Sequence, residues 1–182
     1  MPSSTLSVTQ HLISESGMFD FESYLACKPF LAAKDAEIVR TLSDEILQVP
    51  CPNNDPLRLL DVGSGEASVI EAICHRLKRS ITKRTTVLPA IRLDCVEPNA
   101  EGQLYVRDMA DRSRDKTTEV TLHPTTAQEF LEVNKQDYQA IICCHSFYHI
   151  ARRSWPHLVC RLIERLSDGG VLLINLVSRS SD

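Results

Sequence analysis

One stretch decides the fold of this chain, Leu59-Leu60-Asp61-Val62-Gly63-Ser64-Gly65-Glu66-Ala67. Its first four residues end an apolar run that begins at Leu57, and such a run is typical of a strand buried on both faces. A turn with two glycines follows, and apolar residues at helical spacing come next, between Val69 and Leu77. Glycine permits a tight turn and the close approach of a ligand to the backbone. The stretch therefore predicts a strand, a glycine turn and a helix, an arrangement that can hold an anionic or nucleoside group.

Apolar runs and helical patterns alternate from this stretch onward. Strands that alternate with helices form a parallel sheet, and right-handed crossovers place the helices on both of its faces. The predicted fold class is therefore α/β, a Rossmann-like parallel sheet with helices on both faces. We predict strands at 57–62, 91–96, 119–122, 138–144 and 171–177, and helices at 66–78, 100–112, 127–133 and 156–166.

The residues before the first strand carry helical patterns instead. One pattern is aromatic and includes Phe21 and Tyr24, and a second runs from about residue 32 to residue 47. A proline-rich break between Pro50 and Pro56 follows. We predict an N-terminal helical segment over residues 1–56, on the substrate side, and a ligand-binding domain over residues 57–182.

Composition and charge argue against several classes of protein. A chain of 182 residues with 43% hydrophobic residues and a net charge of −4 suits one globular domain without a general attraction to nucleic acid or anionic membranes. No apolar run approaches the roughly 20 residues that span a bilayer, and the six histidines form no ligand pair. The seven cysteines, an odd number without a C-x-x-C pair, indicate reduced and buried thiols. We expect a cytoplasmic protein without a metal, nucleic-acid or membrane partner, and its oligomeric state stays open.

Three of the predicted strands end in groups that suit a nucleoside. Ligands of open α/β sheets bind outside the carboxyl ends of the strands. The segment from Asp61 to Gly65 follows the first strand, and Glu97 ends the second. The Glu97 carboxylate can accept hydrogen bonds from both ribose hydroxyls, or it is an exposed acid that caps the next helix. Thr126 and Ala127 follow the third strand, where Thr126 either contacts a nucleobase or caps a helix, and these two roles are compatible.

With these residues in place, the chain resembles the class I S-adenosylmethionine-dependent methyltransferases. The stretch from Leu59 to Ala67 is similar to their first motif, although Ala67 stands where a third glycine is usual. Cys95-Val96-Glu97-Pro98 is similar to the acidic second motif, and segments 138–150 and 166–174 are similar to the fourth and fifth strands. The resemblance covers about residues 57–178. It implies S-adenosylmethionine as cofactor and methyl transfer to a small-molecule acceptor.

The resemblance also implies roles for single residues. The first motif would surround the methionine moiety, Glu97 would hold the ribose, and the Thr126–Ala127 pair would border the adenine. His145 would lie beside the methyl group, where it could take a proton or orient the acceptor. The alternative for His145 is a hydrogen-bonded histidine at a strand terminus. The implied cofactor contacts are Asp61, Gly63, Ser64, Gly65, Glu97, Pro98, Thr126, Ala127, Cys144 and His145.

Acceptor contacts are implied for Phe21, Tyr24 and Tyr148, although packing is the alternative for Tyr148 and the better interpretation of His149. Within the superfamily, segments 96–101 and 145–150 are most similar to histamine N-methyltransferase-type enzymes. That similarity implies an amine or imidazole nitrogen as the methyl acceptor.

The end of the chain departs from the family pattern. The fold normally continues with a sixth and a seventh strand, and here the sequence stops at Asp182. We therefore expect a fragment, a shortened isoform or a partner that completes the sheet. Two other functions stay open, a methyltransferase-like binding or regulatory protein without activity and a nicotinamide-dependent oxidoreductase. Ser68 disfavours the second, because it stands where the dinucleotide motif has its third glycine.

Overall fold

A computed structural model of the protein describes residues 35–50, 55–82, 90–113 and 117–176. The predicted aromatic helix with Phe21 and Tyr24 lies outside these ranges. None of the helices within them is long and apolar enough to cross a membrane. A first helix, α1, is described from residue 35 to residue 46. The other elements are β1 (Leu57–Val62), α2 (Ser68–Thr82), β2 (Ile91–Val96), α3 (Ala100–Arg112), β3 (Thr118–His123), α4 (Ala127–Val133), β4 (Tyr138–Cys144), α5 (Trp155–Ile163) and β5 (Leu166–Asn175).

The five strands form one parallel sheet in the order β3-β2-β1-β4-β5. In the register of the sheet, Asp61 of β1 lies beside Cys95 of β2 on one side and Ile142 of β4 on the other. The chain runs from β1 outward to β2 and β3 and then returns to place β4 on the opposite side of β1. The strand order therefore reverses between β1 and β4, which is where an open α/β sheet leaves a crevice for a ligand.

Helices cover both faces of the sheet, as the sequence predicts. Side chains of successive strand residues point to opposite faces, so neighbouring leucines of β1 enter two different cores. Leu59 packs in a core that includes Ile73 of α2, together with residues of α1 and α3. Leu60 packs in a second core that includes Phe130 of α4 and Leu158 of α5. The α/β prediction with a parallel sheet and two helical layers is confirmed.

Most predicted boundaries agree with the structure, and the largest difference is at β5. The sequence places a turn before a strand at 171–177, but β5 begins at Leu166 and α5 ends at Ile163. Tyr138 pairs with Leu166 and Ala140 pairs with Val171, so extra residues of β5 bulge out between the two pairs. Gly169 lies in this bulge with a left-handed backbone, at φ +75°, a conformation that glycine adopts without steric cost. Helix α2 also begins at Ser68, two residues later than predicted, because the glycine turn extends to Ala67 at φ +58°.

The cysteines are free thiols in the described part of the chain. Cys74, Cys95 and Cys143 are buried in the two cores, as expected, and Cys144 is half-buried. Cys160 is exposed, so the prediction of buried thiols is wrong there. Helix α5 directs Leu158 and the residues at helical spacing from it into the core, and Cys160 lies on the opposite side.

Helix α3 begins at an asparagine cap that lies beside the end of β2. Asn99 Oδ1 accepts hydrogen bonds from the backbone N–H groups of Glu101 (2.8 Å) and Gly102 (3.3 Å). These two donors belong to the first turn and have no partner within the helix. The Asn99 side chain therefore fixes the start of α3 at Ala100, four residues after the last residue of β2, Val96.

Removal of this cap should cost stability. For Asn99→Ala we expect the free energy of unfolding to fall by about 1 kcal/mol, measured by urea denaturation, because two N–H donors lose their acceptor. Asn99→Asp keeps an acceptor oxygen and serves as the control, with stability close to that of the unchanged protein. An unaltered denaturation midpoint for Asn99→Ala would contradict the role of the cap.

Candidate functional site

A cleft lies at the carboxyl ends of β1 and β4, where the strand order reverses. It encloses about 660 Å³ of empty space, including the part that is open to solvent. The glycine turn after β1 forms one wall, the segment after β4 forms the other, and Glu97 reaches in from the end of β2. The lining residues are Asp61, Gly63, Ser64, Gly65, Glu66, Ala67, Ser68, Val69, Ile70, Glu97, Cys144, His145, Ser146 and His149.

The glycine turn brings the two walls of the cleft into contact. Gly63 has a left-handed backbone, at φ +73°. A Cβ atom added to Gly63 would lie 2.4 Å from Ser146 Cβ, so no side chain fits between the loops after β1 and β4. Ala67, at the usual place of the third glycine, keeps a left-handed backbone at φ +58°. An L-residue in that region costs about 1 kcal/mol, so the alanine preserves the turn at the expense of some strain.

Glu97 is a buried acid held by two backbone amides. Glu97 is only 5% exposed to solvent. The Gly65 N–H donates to Glu97 Oε2 (2.7 Å), and the Asn99 N–H donates to Glu97 Oε1 (2.8 Å). The alternative of an exposed helix-capping acid is therefore wrong, since the helix cap is Asn99. A carboxylate offers about four lone-pair positions, so each fixed oxygen can still accept a hydrogen bond from a ligand.

Asp61 lies at the base of the cleft and is also buried. Burial raises the pKa of Asp61 to about 7; the nearby Ser64 hydroxyl opposes this rise, and the charge of Glu97 adds to it. Ser64 Oγ and Ser146 Oγ are both buried; Ser64 faces the Asp61 carboxyl, whereas Ser146 Oγ has no hydrogen-bond partner among the described residues. Buried polar atoms without partners are costly. The Ser146 hydroxyl on the wall of the cleft therefore favours a site in which a ligand supplies the missing hydrogen bond.

The charge of the cleft is one-sided. Asp61, Glu66 and Glu97 all line it, whereas the described lining contains no lysine or arginine. Such a cleft attracts a cationic group and repels phosphates. Among the described residues, no group of three or more His, Cys, Asp or Glu side chains is arranged to hold a metal ion.

His145 follows β4 directly and has a left-handed backbone, at φ +57°. Its side chain is 9% exposed, and Nε2 lies 3.4 Å from Asn175 Nδ2 of β5 and 4.0 Å from Asp35 Oδ1 of α1. Burial lowers the pKa of His145, and the charge of Asp35 opposes that shift. The imidazole is therefore neutral at a pH of about 7. The prediction of a hydrogen-bonded histidine at a strand end fits this geometry, and the imidazole also lines the cleft.

The structure brings together seven of the ten predicted cofactor residues. The other three are not in the lining: Pro98 is exposed, and Ala127 is buried in the core beneath the sheet end. Thr126 caps α4, since its hydroxyl accepts from the Glu129 N–H (3.3 Å) and Glu129 Oε2 accepts from the Thr126 N–H (3.1 Å). The capping role of Thr126 is confirmed, and its nucleobase contact stays a prediction. The seven that line the cleft are Asp61, Gly63, Ser64, Gly65, Glu97, Cys144 and His145.

Other site residues differ from the sequence analysis. His149 is exposed and lines the cleft, so its interpretation as a packing residue is wrong. Tyr148 is half-buried and not part of the lining, while Phe21 and Tyr24 lie outside the described residues. Sequence reasoning also missed Ser146, whose only signal is its position directly after His145. The remaining lining residues that it missed belong to the glycine turn and to the start of α2: Glu66, Ala67, Ser68, Val69 and Ile70.

The raised pKa of Asp61 predicts how stability depends on pH. The pKa of Asp61 is about 7 in the folded state against an ordinary value of 3.8, so the protonated form is favoured by folding. This contribution is complete below the unfolded pKa and is lost as pH rises through the folded one. From about pH 6 to about pH 7, the unchanged protein should therefore lose about 1 kcal/mol of unfolding free energy relative to Asp61→Asn. Urea denaturation of both proteins measures this, and parallel pH profiles would contradict the shift.

The sheet is parallel, a glycine turn lies where the strand order reverses, and a buried acid ends the next strand. Together these features define a Rossmann-like nucleoside-binding domain. A family model described as a methyltransferase domain matches residues 33–182. The chain belongs to this family of methyltransferase domains. The match concerns methyltransferase domains in general and does not distinguish a subfamily.

Solved structures share the fold at low sequence identity. Precorrin-6y C5,15-methyltransferase from Geobacter metallireducens has 19% identity and a TM-score of 0.55 over 80% of this chain and 64% of its own. Magnesium protoporphyrin IX methyltransferase from Synechocystis PCC 6803, solved with bound S-adenosylmethionine, has 12% identity and a TM-score of 0.53 over 84% and 62%. Coclaurine N-methyltransferase, bound to N-methylheliamine and S-adenosylhomocysteine, has 16% identity and a TM-score of 0.50 over 76% and 34%.

This chain thus spans less than two thirds of the length of each of these three proteins. At such identities the likeness concerns the fold. No curated protein matches the chain significantly.

Proposed function

We propose that this chain binds S-adenosylmethionine in the cleft and takes part in methyl transfer to a small-molecule acceptor. The observation that carries the proposal is the Glu97 carboxylate, fixed by the Gly65 and Asn99 amides at the rim of the glycine turn. A ribose with two neighbouring hydroxyls would donate to the free lone pairs of its two oxygens. Membership in the methyltransferase family supports this choice of nucleoside.

The charge of the cleft supports the same cofactor over a dinucleotide. S-adenosylmethionine carries a sulfonium and an ammonium group, and the carboxylates of Glu66 and Glu97 line the cleft together with the partly ionised carboxyl of Asp61. The pyrophosphate of a nicotinamide dinucleotide would meet the same carboxylates and be repelled. The buried hydroxyl of Ser146 would gain a polar partner from the bound methionine moiety. We therefore set the oxidoreductase alternative aside.

The proposed cofactor contacts follow the strand ends. Asp61, Gly63, Ser64 and Gly65 would surround the methionine moiety, beside Cys144 and His145 on the opposite wall. Glu97 and Pro98 would lie against the ribose. Thr126 and Ala127, beyond the described lining, would border the adenine, with Thr126 keeping its role as the cap of α4.

When bound, S-adenosylmethionine supplies an electrophilic methyl group on sulfur, and the protein has to align the acceptor and exclude water. In this proposal, His145 would accept the proton that an amine acceptor releases. The resulting imidazolium would be stabilised by Asp35, whose Oδ1 lies 4.0 Å from His145 Nε2. A neutral amine needs no stronger base than this imidazole.

We propose an amine or imidazole nitrogen as the acceptor. Support comes from the carboxylates, which attract an acceptor that is cationic before it loses its proton, and from the neutral His145 beside them. Phe21, Tyr24 and Tyr148 are proposed as acceptor contacts. Transfer of a radiolabelled methyl group to a panel of amines, imidazoles and phenols tests the proposal. Methyl transfer to phenols without transfer to amines or imidazoles would contradict the proposed nitrogen acceptor.

A second candidate is a methyltransferase-like binding protein without activity. The chain spans 64%, 62% and 34% of the three solved methyltransferases, so methyl transfer is itself part of the proposal and has to be tested apart from cofactor binding. The same experiment separates the two candidates when it is combined with calorimetry. Cofactor binding without methyl transfer to any acceptor would favour the binding protein, and turnover would exclude it.

A further inference from the structure

A glycine stands in the first turn of α3, where the backbone does not require one. Gly102 is the third residue of the helix, is buried, and is not among the residues with a positive φ. Glycine weakens a helix relative to alanine, because it loses more backbone freedom on folding. The reason for a glycine at this position must therefore lie in what packs against it.

The neighbour of Gly102 is the side chain of Glu97. A Cβ atom added to Gly102 would lie 2.8 Å from Glu97 Cγ, 2.9 Å from Cδ and 3.2 Å from Oε1. Carbon atoms that are not bonded make favourable contacts at about 3.5–4.0 Å, so a methyl group and this Glu97 conformation exclude each other. The Glu97 carboxylate thus folds back over the first turn of α3 and fills the space that a side chain at Gly102 would take.

The same conformation gives Glu97 its two hydrogen bonds. With the side chain folded back, Oε2 accepts from the Gly65 N–H of the glycine turn and Oε1 accepts from the Asn99 N–H. The backbone of Glu97 is held independently, because Gln103 Nε2 donates to its carbonyl oxygen (3.1 Å). A methyl group on Gly102 would therefore displace the carboxylate and leave the strand end in place.

We infer that Gly102 is a positioning residue of the cofactor site, and that its missing side chain sets where the Glu97 carboxylate lies. The inference rests on the proposed function in one respect, the ribose contact of Glu97. Gly102 itself acts only through Glu97. The role of Gly102 is thus steric. A side chain at position 102 should therefore weaken cofactor binding when Glu97 is present and have little effect on it when Glu97 is replaced by alanine.

A cycle of variants tests this inference, with Gly102→Ala, Glu97→Ala and the double variant. Calorimetric titration with S-adenosylhomocysteine measures affinity, and thermal unfolding measures stability. We expect Gly102→Ala to weaken binding about tenfold, as for the loss of a hydrogen bond to a charged group. In the Glu97→Ala background the same change should alter affinity less than about twofold and should raise Tm, since alanine favours the helix. Glu101→Ala, an exposed change in the same turn, should leave affinity unaltered.

The results separate the inference from the proposed function. Equal affinity for Gly102→Ala and the unchanged protein would overturn the inference, and so would an equal loss in both backgrounds. If Gly102→Ala does not fold but the double variant does, the steric partner is Glu97 and the inference stands; if neither folds, it fails. If Glu97→Ala alone leaves affinity unaltered, the ribose role fails. In that case, the Tm values of the two single variants and the double variant still show whether a methyl group at position 102 collides with the Glu97 side chain.

Discussion

Gly63→Ala should lower the free energy of unfolding by about 3 kcal/mol and abolish cofactor binding. Two costs add at this position. An L-residue at φ +73° costs about 1–2 kcal/mol, and an added Cβ atom 2.4 Å from Ser146 Cβ overpacks the contact between the two loops, at about 1–3 kcal/mol. Relief of the overlap would move the walls of the cleft apart. Urea denaturation measures the first effect and calorimetric titration with S-adenosylmethionine the second.

Ser146→Gly provides the matched control for this prediction. It removes the atom that the new Cβ would meet and leaves the backbone of residue 63 unchanged. The double variant Gly63→Ala with Ser146→Gly should therefore recover about half of the lost stability, because only the strain at positive φ remains. A double variant as unstable as Gly63→Ala would contradict the contact, and a fully stable Gly63→Ala would contradict the geometry of the turn.

Glu97→Ala should weaken the binding of S-adenosylmethionine about 10- to 100-fold. The carboxylate is the proposed acceptor for the ribose hydroxyls, and hydrogen bonds to a charged group contribute about 1.5–3 kcal/mol. The change also frees the Gly65 N–H, which now donates to Glu97 Oε2 over 2.7 Å. Calorimetric titration of both proteins measures the difference in affinity.

Two further variants interpret that result. Glu97→Gln keeps the shape of the side chain and one acceptor oxygen, so its affinity should fall between those of Glu97→Ala and the unchanged protein. Glu132→Ala removes an exposed acid from α4 and should bind normally. Undiminished binding by Glu97→Ala would take Glu97 out of the cofactor site.

The sequence predicts the fold well where a strand is a short apolar run between breaking residues. The bounds of β1, β2 and β4 agree with the structure, because prolines, glycines or polar residues enclose each run. The start of β5 could not be predicted in this way. Ser167-Asp168-Gly169-Gly170 has the composition of a turn, yet the neighbouring β4 pairs with its flanks and forces a bulge. Strand pairing overrides local composition there.

The sequence predicts those residues of the candidate site that lie at or next to the end of a predicted strand. Asp61 is the second-last residue of β1, Gly63 to Gly65 directly follow β1, and His145 directly follows β4. The ends of these parallel strands therefore bring all of them to the crevice. Asp35 and Asn175 approach His145 from α1 and from the last strand, and no spacing in the sequence indicates that contact. The contact between Glu97 and Gly102 likewise depends on how a side chain folds back, which a pattern of residues does not encode.

The central claim is that the cleft between β1 and β4 holds S-adenosylmethionine through the Glu97 carboxylate and the glycine turn. Calorimetric titration of the unchanged protein with S-adenosylmethionine and, separately, with a nicotinamide dinucleotide tests it most directly. We expect saturable binding of S-adenosylmethionine at one site per chain and no binding of the dinucleotide. The absence of binding by S-adenosylmethionine, or tighter binding of the dinucleotide, would contradict the claim.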